Sequence, residues 1–145
     1  MAGKPPTLER TLAEMRRWPA SWEIDGDRDA GAALVAGFTP FVLQLYATGA
    51  ATTTLRRHLG NLWQLGGEVI RRRHAEAPPA PVPPLTGIVD QEGGPLLHGQ
   101  DEDEQRSFDA TCRALHRFLI TSAGRAVNPT RKERTPVADA ANGEP

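Results

Sequence analysis

The feature that most constrains this chain is the run from Thr52 to His74, TTTLRRHLGNLWQLGGEVIRRRH. Leu55, Leu59, Leu62, Gly66, Val69 and Ile70 recur at i, i+4, i+7, i+11, i+14 and i+15, the period of one buried helical face, and Trp63 and Leu65 widen it. The threonines ahead of it can supply an N-cap, because a hydroxyl there accepts an N–H that the first helical turn leaves unpaired. Three arginines close the run, where the negative end of the helix dipole favours cations. This is the central helix. On a wheel of about 100° per residue, Arg57, Gln64 and Arg71 line the side opposite the leucines, flanked by Arg56 and Arg72. Between residues 50 and 74 five arginines meet one acid, Glu68, a local +4 in a chain whose total is -1. Such an excess holds phosphates or forms an ordinary solvated helix face.

The rest of the chain supports an all-α class, a small bundle of about four to five helices. Leu8, Leu12 and Met15 mark a short helix capped by Thr7 and closed by Pro19; Trp18 and Trp22 on either side of the proline read as a lid over the core. Asp25-Gly-Asp-Arg-Asp reads as a turn, without the spacing of a calcium loop. Residues 30 to 48 carry Leu34, Val35, Phe38, Phe41, Val42 and Leu45. Pro40 there either opens a helix capped by Thr39 or kinks a longer one beginning near Ala30. Gly49 ends that segment, and a connection of three residues makes it a neighbour of the central helix.

Residues 75 to 84, with five prolines, form a polyproline-type connector. Residues 85 to 99 form an ordered loop pinned by Ile88, Val89, Leu96 and Leu97, in which Gly93-Gly94-Pro95 makes a sharp turn without the lysine of a phosphate loop. Asp101 to Glu104 open a last helix, near residues 104 to 122, whose apolar face is Phe108, Cys112, Leu115 and Leu119 and whose opposite stripe is Arg106, Arg113 and Arg117. Residues 90 to 104 hold six acids and no Lys or Arg, so this segment should lie away from any DNA-facing surface or shield the basic helix. Residues 1 to 6 read as a loose start, 7 to 123 as one helical domain, and 124 to 145 as a disordered tail with basic residues Arg131, Lys132 and Arg134.

Three glycines inside the central helix cost about 1 kcal/mol each against alanine and need a reason. Close approach of another helix suits Gly66; a kink or a backbone contact is the expectation for Gly67. His58 reads as a hydrogen-bonded packing residue and Cys112 as a small core residue. One cysteine allows no internal disulfide, and no run approaches the roughly 18 apolar residues of a membrane span, so the expected setting is the cytoplasm. No nucleophile–base pair, metal-ligand spacing or cofactor loop is visible: the chain reads as no enzyme, with no metal and no cofactor.

Phe38-Thr-Pro-Phe-Val-Leu-Gln-Leu as a first helix, Tyr46 to Thr54 as a turn, and Leu55-Arg-Arg-His-Leu-Gly-Asn-Leu-Trp as a following helix resemble the core-binding domain of tyrosine recombinases. This is the SAM-like module that grips DNA ahead of the catalytic domain in phage integrases. The resemblance implies that Thr52, Thr54, Arg56 and Arg57 face the duplex backbone. The basic face adds Gln64 and Arg71 as phosphate contacts. The family's catalytic elements are missing: the single tyrosine, Tyr46, precedes the turn, and no His-x-x-Arg occurs. The expectation is a non-catalytic, stand-alone relative of the DNA-gripping half, associated with a mobile element or plasmid and binding double-stranded DNA. The alternative is a helical protein–protein interaction module with no DNA role.

Overall fold

The structure, a computed structural model, describes residues 6–22, 28–75, 78, 80–97 and 99–127, the last five without their side chains. Among these residues five helices follow one another: α1 (Leu8–Met15), α2 (Trp18–Ser21), α3 (Arg28–Ala47), α4 (Thr52–Arg73) and α5 (Glu102–Val127), with a 3-10 turn at Leu85–Gly87. The fold is all-α; the described residues contain no strand, only an isolated bridge between Asp90 and Gly93.

Local chemistry sets most helix ends. The Thr7 hydroxyl accepts the Arg10 N–H at 3.1 Å and caps α1. Pro19 does more than close that helix, because its fixed φ starts the single turn of α2. At Pro40 the longer of the two alternatives holds: α3 runs unbroken through the proline, and the Thr39 hydroxyl bonds back to the Val35 carbonyl at 2.7 Å. Gly49, at φ +71°, ends α3. Ala50 N–H reaches Leu45 O and Gly49 N–H reaches Tyr46 O, the paired bonds of a Schellman motif. Asp101 and Glu104 form a reciprocal capping box at the start of α5: the Asp101 carboxylate accepts the Glu104 N–H at 2.8 Å, and the Glu104 carboxylate accepts the Asp101 N–H at 3.0 Å.

The core gathers Met15, Trp22, Leu34, Phe38, Phe41, Val42, Leu62, Leu65, Ile70, Val89, Phe108, Cys112 and Leu115. By length and composition α3 is apolar enough to cross a membrane, since its alanines and glycines count beside the larger residues; in this bundle Leu34, Phe38, Phe41 and Val42 are core. On α4 the buried arc is about 200° wide on a 100° wheel and turned toward His58 and Asn61, because α5 packs on that side and α3 on the other. Leu59 and Trp63 are left half-buried and exposed, respectively. Trp22 is the lid over the core, and its six-membered ring lies against Gly66 so closely that a Cβ there would overlap it; its pyrrole edge lies against Gly67. The reason for both glycines is therefore an indole, neither a neighbouring helix nor a backbone contact. Leu97 and Val89 pin the long loop as expected, whereas Leu96 is 73% exposed. The Gly93-Gly94 turn offers its N–H groups to Asp90 and Asp109 of the chain itself. Residues 25–27 of the acidic turn, parts of the proline-rich connector and the basic tail lie outside the described residues; α5 continues past Gly124 to Val127.

Candidate nucleic-acid interface

The Schellman ending of α3 leaves Ala51 alone as connector, and Ala51 occupies the N-cap of α4 at φ -62°, ψ 150°. The threonines fall inside the first turn, so the expected hydroxyl cap is not made: no side chain caps this helix, and its first turn holds no acid. The N–H groups of Thr52, Thr53 and Thr54 consequently face outward at the positive end of the dipole, the arrangement that attracts anions. Thr52 and Thr54 are half-buried, and Arg56 and Arg57 are exposed one turn further on. These four candidate residues share one end of the molecule.

Gln64 and Arg71 do not join them. At about 1.5 Å per residue they lie roughly 18 Å and 28 Å along α4 from Thr52. Gln64 is half-buried. Arg71 and Arg72 both hold Glu68, Arg72 Nε donating to Glu68 Oε2 at 2.6 Å, and Arg72 also donates to the Leu96 carbonyl at 3.0 Å. Glu68 is buried. Burial alone would raise its carboxyl pKa, but the hydrogen bonds and charges of Arg71 and Arg72 prevail and hold it below the usual range. Arg71 is thus part of an internal clamp at the far end of the helix.

A polar seam that sequence reasoning missed sets the register of α4 on α5. His58 Nδ1 and Thr111 Oγ1 lie 2.6 Å apart, and Asn61 Nδ2 donates to Thr111 Oγ1 at 2.9 Å and to Ser107 O at 3.1 Å. Thr111 is 1% exposed. Asn61 and His58, three residues apart on a leucine face, and Ser107 and Thr111, four apart beside Phe108, were the available signal. Burial first, and then the Arg57 charge, lower the His58 pKa. A neutral imidazole whose Nδ1 accepts the Thr111 hydroxyl lets that oxygen receive Asn61 in turn. His58 is a hydrogen-bonded packing residue, set edge-on to Phe41.

The pairings 58 with 111 and 61 with 107 make α4 and α5 antiparallel. The acids at Asp101–Glu104 therefore stand opposite the later turns of α4, roughly 20 Å along the axis from Thr52. Cys112 is 1% exposed, and burial, with Asp109 and Asp90 nearby, pushes its thiol up to about 12, where a thiolate nucleophile does not form at neutral pH. Among the described residues no group of three or more His, Cys, Asp or Glu is placed to hold a metal.

Comparison with protein-family models, with curated proteins and with solved structures returned no match.

Proposed function

We propose that the chain is a non-catalytic, double-stranded DNA-binding module of the kind that grips DNA in tyrosine recombinases, associated with a mobile element or plasmid. The observation that carries this reading is the uncapped, acid-free N-terminus of α4, with Thr52, Thr54, Arg56 and Arg57 around it. Exposed N–H groups and two arginines form a phosphate clamp; such contacts fix position on the duplex and leave sequence choice to other residues. Placement of the acids toward the other end of α4 removes the repulsion that a near-neutral chain would otherwise present.

Anisotropy titration of labelled random duplex at several salt concentrations tests the reading. Affinity should fall steeply with salt, and Arg57→Ala should reduce the log–log slope by roughly 0.9. Arg71→Ala should leave the slope unchanged, because its guanidinium is engaged with Glu68. A folded protein with no binding at low salt would overturn the proposal.

A further inference from the structure

The opposite flank of α4 carries a second feature. Between α1, α2 and α4 lies a cavity of about 720 Å³, within the range of small-ligand sites. Its apolar walls are Trp18, Leu59 and Trp63, and Arg10, Glu14 and Arg56 reach it from both sides. Trp63 is 42% exposed, yet its ring is anchored: Nε1 donates to the Ser21 hydroxyl at 2.8 Å. Arg10 and Glu14, one turn apart on α1, pair neither with each other nor with any other described residue.

Gly60 supplies an independent observation. It sits mid-helix, lines this cavity, and a Cβ built on it meets nothing within 4 Å. Gly66 and Gly67 are explained by Trp22; no packing explains Gly60. A glycine that costs about 1 kcal/mol against alanine and touches nothing keeps open the floor on which it stands.

We propose that this groove binds a single unstacked nucleotide, as a free mononucleotide or as one residue of a single strand. The indoles of Trp18 and Trp63 offer faces for the base, the guanidinium groups of Arg10 and Arg56 meet the phosphate, and the Glu14 carboxylate accepts an amino hydrogen of the base. The groove adjoins the duplex-facing end and shares Arg56 with it. Arg57 does not line it, so Arg57→Ala tests the duplex reading and Gly60→Leu tests this one, and either can fail alone.

Tryptophan fluorescence is titrated with adenosine monophosphate, adenosine and a short single-stranded oligodeoxyadenylate, on the wild type, Gly60→Leu and Arg10→Ala. Gly60→Leu fills the groove and replaces glycine by a better helix former, so its melting temperature without ligand should equal or exceed that of the wild type. Binding of the monophosphate, at least about tenfold weaker for adenosine and for both variants, is the expected result and assigns the free nucleotide as source. Binding of the oligonucleotide alone, with the same loss in both variants, assigns the strand. No saturable quenching by either up to about 1 mM, or undiminished affinity in Gly60→Leu, overturns the proposal.

Discussion

At the scale of single residues, Thr111 is the junction of the molecule. It accepts from Asn61 and hydrogen-bonds His58 Nδ1 while fully enclosed, so its hydroxyl satisfies two polar groups on another helix. Thr111→Val keeps the shape, strands His58 Nδ1 and leaves Asn61 only its bonds to Ser107, and should cost about 1–3 kcal/mol in chemical denaturation; a loss indistinguishable from zero would show that water or a rotated side chain replaces the hydroxyl. The sequence pointed to His58 as a packing residue through its place at the apolar edge. It did not point to Thr111, because a threonine beside Phe108 reads as a tolerated polar residue until the facing helix is known. Arg71 shows the converse: the helical wheel put it with Arg57, but the wheel carries no information on how deeply Glu68 is buried or that its carboxylate turns to Arg71.

At the scale of elements, α4 contains three glycines of equal propensity cost and unequal meaning. In Gly66→Ala the added methyl overlaps the Trp22 ring, and stability should fall by about 1–3 kcal/mol, with Trp22 fluorescence shifting as the indole is displaced. Gly60→Ala meets open space and should gain about 1 kcal/mol in the same assay. Should both changes have the same sign, the placement of Trp22 would be wrong. The helix ends divide similarly. Thr7, Gly49 and the acids opening α5 were legible, since a cap or a left-handed glycine is chemistry within a few residues. The N-cap of α4 was not, because the compact Schellman exit from α3 left only Ala51 to turn the chain.

Over the whole molecule, the charged states of two buried groups govern how stability responds to pH. His58 has a pKa below 6.5 in the fold, so unfolding takes up a proton: its contribution is complete above about pH 6.5 and is lost as pH falls. Glu68 lies below 4.5, so its contribution holds above that value and disappears as pH drops through the folded pKa. The two arginines of the Glu68 clamp are half-exposed, so solvent screens that pair. The melting temperature should begin to decline between about pH 7 and 5.5, and His58→Gln, which keeps an acceptor for Thr111, should flatten that interval. A wild type already flat there would mean that His58 takes up its proton as readily in the fold as in the unfolded chain. By itself the sequence determined the helical class, most helix limits and most of the apolar core, because periodicity, caps and breakers act within a turn or two of the residue that carries them. The tertiary structure alone decided which polar groups are enclosed, that Arg71 clamps Glu68 while Arg57 stays exposed, and that Gly66 and Gly67 meet an indole while Gly60 meets a cavity. Apart from the Arg71–Glu68 pair, which is three residues apart on one helix, these are contacts between residues about 20 to 50 positions apart, and they depend on how helices are set against each other rather than on any local pattern.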